Sequence, residues 1–97
     1  MKSHWKTMTF GRALQESLER QGLVRRIREQ EVLQRWNELV GTAIANHTQP
    51  TRLRNGVLWI QVRDATWRQE LTMMRTGLIE KINDALGASV VEEIRFR

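Results

Sequence analysis

Apolar residues recur along this chain with two different periods, and the change from one to the other divides it into a helical half and a mixed half. Phe10, Leu14 and Leu18 return at every fourth position, which sets them on one side of a helix. Thr9 is suited to cap that helix and Gly22 to stop it. The next apolar residues keep helical spacing but not a single phase. At about 100° per residue, Leu23, Val24 and Ile27 point one way, while Val32, Leu33, Trp36, Leu39 and Val40 point nearly opposite. The pattern predicts a break at residues 28–30, then a helix ending at Gly41. Ala43, Ile44 and Ala45 form one more short turn before His47.

Pro50 closes the helical half, and the period then falls to two. Residues 51–54 and 57–63 alternate around Asn55-Gly56, the dipeptide that best tolerates the positive φ needed at both centres of a two-residue hairpin turn. That turn sets Leu53 opposite Leu58 and Arg52 opposite Trp59. Leu58, Ile60 and Val62 then face inward, and Arg52, Arg54, Val57, Trp59, Gln61 and Arg63 face outward. Asp64 is a fitting N-cap for a helix to about Leu86, whose stripe is Trp67, Leu71, Met74, Leu78, Ile82 and Ala85, with Gly87 as its stop. Residues 90–97 read as a last strand, Ile94 and Phe96 inward, Arg95 and Arg97 outward. Because a long helix precedes it, this strand can cross over and pair parallel with a hairpin strand. The expected class is α+β, order α-α-β-β-α-β, with helices on one face of a small three-stranded sheet. Residues 9–97 form a single domain, and residues 1–8 a flexible tail. Trp36 and Trp67 both read as core.

Composition narrows the chemistry. Forty per cent of residues are hydrophobic, enough for one core in 97 residues. The net charge is +5, with thirteen Arg against three Lys, and guanidinium forks suit phosphate oxygens and flat rings. There is no cysteine, so disulfides, thiolate catalysis and Cys-ligated zinc are excluded. No apolar run is long enough to span a membrane, and a cytoplasmic protein is the expectation. His4 and His47 are the two histidines, and Asp64 is better explained as a cap than as an acid or base. No metal-spaced cluster or glycine-rich phosphate loop is present, so neither an enzyme nor a cofactor is expected.

The outward sheet face is the candidate site. Arg52, Arg54, Arg63, Arg95 and Arg97 project from it around Trp59. Cations that follow phosphates and a ring that stacks on bases are what single-stranded nucleic acid requires. A second basic group, Arg25, Arg26 and Arg28, falls at the expected break beside Glu29 and Glu31, where a solvated mixed-charge turn competes with a binding role.

Taken in order, Trp36 with Val40-Gly41, Pro50, Gly56-Val57-Leu58, Trp67 with Glu70-Leu71, and the closing Ile94-Arg95-Phe96-Arg97 resemble the DciA family of bacterial helicase operators. The resemblance runs from about Phe10 to Arg97. It implies a KH-like domain and a non-enzymatic adaptor that assists loading of the hexameric replicative DNA helicase. It also implies binding of single-stranded or forked DNA in a nucleoid-associated, cytoplasmic setting, with no membrane and no small-molecule substrate. Arg52, Arg54, Trp59 and Arg63 would contact DNA, with Arg25, Arg26, Arg95 and Arg97 secondary; the sequence does not localise the helicase contact, for which the face of the first helix with Leu14 and Leu18 is one candidate. No Gly-x-x-Gly spacing exists here, so the sheet face or basic edges would replace the usual KH groove. The runner-up is a KH-like protein acting on ribosomal or messenger RNA.

Overall fold

The computed structural model describes residues 9–97 in full, and of residues 2–8 only that they continue the first helix. The tail expected at residues 1–8, with His4 in it, lies outside the described residues. The elements are α1 (Lys2–Gln34), α2 (Trp36–Val40), α3 (Thr42–Ala45), β1 (Thr48–Arg54), β2 (Val57–Val62), α4 (Ala65–Met73), α5 (Arg75–Leu86) and β3 (Glu93–Phe96).

The hairpin is built as its sequence requires. Asn55 and Gly56 take φ of 51° and 82°, and β1 pairs antiparallel with β2, Leu53 opposite Leu58 and Arg52 opposite Trp59. β3 lies parallel on the other side of β2, giving the order β1-β2-β3. Leu58, Ile60 and Val62 are fully or almost fully buried, and Leu53 and Ile94 join them beneath the helices. The α+β class with helices on one face of a three-stranded sheet is thus the observed one. β1 starts earlier than expected and runs through Pro50, opposite Ile60. An edge strand tolerates proline because only one side of it is hydrogen-bonded. The register then shifts between Pro50 and Arg52, a bulge centred on Thr51.

Asn83 holds the sheet and the helix layer in place. Its side-chain amide donates to the Val91 carbonyl at 2.8 Å and accepts from the backbone N–H of Val90 and Val91 at 3.0 and 2.9 Å. The loop between α5 and β3 carries Val90 and Val91 into the core, so these polar groups have little water to turn to. Gly87, at φ 68°, stops α5 as its sequence predicts.

Four helical expectations need correction, the first being the Thr9 cap: α1 is already helical from Lys2, so Thr9 lies within it. α1 does not stop at Gly22 or break at residues 28–30; it is continuous to Gln34 and bends only at Arg35. The phase change is where the helix leaves the core: Val32 is buried, while Leu23, Val24 and Ile27 stay in solvent at 54, 48 and 59% exposure. The helix expected over residues 64–86 is interrupted at Met74, though Leu78 N–H still donates to Met74. The Thr72 hydroxyl donates to the Arg68 carbonyl at 2.7 Å, a back-bond that bends helices. Within the predicted stripe, Leu71, Leu78 and Ile82 are buried, Trp67 is half-buried, and Met74 and Ala85 are exposed.

Asn83→Ala should lower stability by about 2 kcal/mol in urea titrations, because it strands the Val91 N–H and carbonyl at about 1–3 kcal/mol each, while the Val90 N–H keeps the Ala88 carbonyl. Met73→Ala, at a position 78% exposed, should stay within about 0.5 kcal/mol of the parent. Equal effects of the two would contradict this packing.

Candidate nucleic-acid interface

The side of the sheet turned away from the helices is organised around Trp59. Strand alternation that buries Leu58 and Ile60 forces the residue between them outward. Neighbouring strands place Arg52 and Arg95 in register with Trp59, one on each side. The guanidinium carbons of Arg95 and Arg97 lie 5.1 and 4.6 Å from the indole centroid, within cation–π range. Arg54 is exposed beside Val57 two pairs along, towards the turn. Arg63 lies just past the end of β2 and lines a cleft with Thr51, Gln61, Arg68 and Arg97, of about 370 Å³.

The structure therefore gathers Arg52, Arg54, Trp59, Arg63, Arg95 and Arg97 on one face, as the alternation predicts. Two side chains of that face were not read as part of it. Arg68, on α4, reaches back to donate to the Val62 carbonyl at 2.6 Å and brings another cation to the cleft. Its only signal is its place in the first turn of a helix that starts where β2 ends. Glu93 pairs with Arg95 at 2.9 Å, and both side chains are about half exposed, at 49% and 50%. Spacing of i, i+2 along a strand marks that pair, whose net worth is about 0–1 kcal/mol at such exposure.

Arg25, Arg26 and Arg28 do not join this face. They sit on the continuous α1 rather than at a break, Arg25 and Arg26 exposed and Arg28 donating to the Leu86 carbonyl at 3.4 Å. The mixed-charge turn imagined there does not form, and Glu29 is buried at 5% exposure. The two helical tryptophans also differ from each other. Trp36 is core, 6% exposed, its indole N–H donating to the Thr48 hydroxyl at 2.9 Å. Trp67 is half-buried and stacks on His47, ring centroids 4.4 Å apart, so His47 is its packing partner. Among the described residues there is no His, Asp or Glu cluster able to hold a metal, and no helix long and apolar enough to cross a membrane.

This ordered set of elements has known relatives. The sequence pattern of the family described as "Dna[CI] antecedent, DciA" matches residues 9–96. The chain belongs to the DciA family. UPF0232 proteins of Rhodococcus jostii and of Mycobacterium tuberculosis strain H37Rv are each 35% identical to it over 87 residues. Each alignment covers 90% of this chain and 46% of the relative. A UPF0232 protein of Mycolicibacterium smegmatis is 33% identical over 90% of the chain. This DciA-family chain spans about half the length of the curated relatives it matches.

Trp36→Ala should cost about 3–5 kcal/mol, as for other large aromatic truncations in a core. Trp59→Ala should cost less than half of that, since its ring meets solvent and two guanidinium groups. Chemical denaturation of both variants checks the ranking; the reverse order would mean that Trp59, not Trp36, is the core indole.

Proposed function

We propose that this DciA-family domain is a non-enzymatic adaptor in loading of the bacterial replicative DNA helicase, and that it holds single-stranded or forked DNA on the outer face of its sheet. The observation that carries the DNA part is Trp59 flanked in register by Arg52 and Arg95, with Arg97 on its ring. An exposed cation–π contact is worth about 0.5–1 kcal/mol, and a base stacked on an aromatic ring about 1–3 kcal/mol. An incoming base therefore displaces a guanidinium from the indole at a net gain. The freed Arg95 or Arg97 then swings toward a phosphate, where its fork makes charge-assisted bonds. Arg52, Arg54, Arg63 and Arg68 extend the cationic path along β1 and into the cleft beyond β2. Arg25 and Arg26 lie on a different part of the molecule and take no part in this path.

The helicase role rests on family membership, and a hexamer is the partner that this adaptor reading requires. As proposed, the cations and the indole of the outward face bind and position a strand without a bond-making step.

Affinity for a labelled oligothymidylate, measured across a salt series, tests the interface. Each lost phosphate contact on a single strand should reduce the log–log salt slope by about 0.7, so changing Arg52, Arg54 and Arg63 together to Glu should remove about 2 units. Binding should fall at least tenfold while the fold survives. An unchanged slope would remove the sheet face from the reading. Matched RNA bound more tightly than DNA, with loss on removal of its 2′-hydroxyls, would favour an RNA-binding role instead.

A further inference from the structure

Beyond Trp59 the outward face of the sheet changes from cations to amides. Two residues of rise along β2, about 7 Å, lead from Trp59 to Gln61, which is exposed on the same face. On β1, Gln49 stands opposite Gln61 in register and is also exposed. The bulge at Thr51 is what puts it there: one extra residue lets Gln49 and Arg52, three apart in sequence, share the outward side. Side chains directly opposite in an antiparallel pair have Cβ atoms about 5 Å apart, so the two amides are neighbours. On the other side of β2, Arg97 lies level with Gln61, its N–H donating to the Ile60 carbonyl and its own carbonyl accepting from Val62.

Gln49 and Gln61 line a cleft of about 290 Å³ at this end of the sheet, together with Asn46, His47, Arg63 and Asp64. Trp67 covers one face of the His47 ring and does not itself line the cleft. The imidazole therefore meets the cleft through an edge or through its other face. Among the described residues, no hydrogen bond within the chain engages the side-chain amides of Gln49 and Gln61. Arg63 and Asp64 offset each other in charge, and Asp64 Oδ1 already accepts from the N–H groups of Thr66 and Trp67. Such a cleft is poorly matched to a phosphate and well matched to an uncharged base edge. Each glutamine amide presents a donor and an acceptor side by side. That pair fits a base edge where an acceptor and a donor are adjacent, as with N7 and N6 of adenine. Over the Watson–Crick and Hoogsteen edges, guanine and cytosine each have one such pair, and the two of thymine share a single N3 proton. Adenine has two, N6 with N7 and N6 with N1, and a separate N6 proton for each. It is the base that two amides can hold at once.

We propose that this cleft is a second base subsite, one nucleotide on from Trp59, and that it selects adenine. The inference rests on the sheet face binding single-stranded DNA, and it adds a sequence preference to that reading. A stretched strand advances by roughly twice the 3.4 Å per nucleotide of duplex DNA, which matches the step from Trp59 to Gln61. One base stacks on Trp59, and its neighbour enters the cleft against His47, where Gln49 and Gln61 take its two edges. Arg63 lines both this cleft and the one shared with Arg68 and Arg97, so it stands where a phosphate leaves the subsite. Stacking on the indole tolerates any base, so Trp59 supplies affinity and the two glutamines supply the choice.

Fluorescence anisotropy of the full chain with a short labelled oligothymidylate, and with the same strand carrying one central dA, dC or dG, tests the subsite. The dA strand should bind at least about fivefold more tightly than all-dT, the low end for one bidentate base contact, and more tightly than the dG strand. Replacing that dA by 7-deazaadenine, which lacks N7, or by purine, which lacks the 6-amino group, should remove the gain. Gln49→Ala with Gln61→Ala should remove it too; both side chains are exposed, so the fold should survive their loss. In the unsubstituted chain, the side-chain NH2 signals of Gln49 and Gln61 should shift further with the dA strand than with all-dT. Equal affinity for all four strands, still sensitive to changing Arg52, Arg54 and Arg63 to Glu, would overturn the subsite and leave the sheet face standing. A dA gain that survives 7-deazaadenine or the loss of both glutamines would overturn it as well, by assigning the gain to stacking on Trp59. A preference for dG would overturn the choice of adenine. Failure of every strand to bind would remove the sheet face, and the subsite with it.

Discussion

Leu58, Ile60 and Val62 alternate with Trp59 and Gln61 along one central strand, and the placement of every other residue of interest follows from that alternation. β2 has partners on both sides, so its inward set is sealed beneath the helices and its outward set is fixed in space. A slip of one residue would exchange the two sets, putting an indole in the core and three aliphatic side chains in water. The hairpin turn at Asn55-Gly56 fixes the register on one side. On the other, Asn83 anchors Val90 and Val91, so that β3 arrives with Ile94 inward and Arg95 beside Trp59. Backbone hydrogen bonds and buried aliphatic area thus determine where the cations of the sheet face lie.

The same economy governs the helices. α4 and α5 together make the crossover that a parallel β2–β3 pair requires, and they cover the sheet with Leu71, Leu78 and Ile82. α2 adds Trp36, Leu39 and Val40. α1 gives the core only its last turns, and among the described residues Phe10, Leu14 and Leu18 on the rest of it stay exposed. The cationic sheet face and the uncharged helix stripe are separate surfaces with opposite chemistry.

Much of this was legible in the sequence, for identifiable reasons. Period-two alternation, the Asn-Gly turn, the Asp64 cap and the Gly87 stop are local signals, and each acts in the structure where the residues place it. The parallel closing strand followed from the long helix before it. The break at residues 28–30 was misread because a change of hydrophobic phase has two causes: a turn in the chain, or a helix passing from solvent into a core. Periodicity alone does not separate them. Trp67 looked like core because its stripe does not show that His47 would take one of its faces. Arg68 and Asn83 were missed because their roles depend on where distant backbone passes, which spacing does not encode.

The account turns on the outward face of β2 and its neighbours being where a nucleic acid rests. The most direct measurement is a two-dimensional NMR titration of the labelled chain with a short oligothymidylate at low salt, following backbone amides and the four indole N–H signals. The account predicts that the Trp59 indole and the amides of Arg52, Arg95 and Arg97 shift first and furthest, while those of α5 and the Trp36 indole stay in place. Shifts confined to the helix layer, with Trp59 unmoved at saturation, would contradict it.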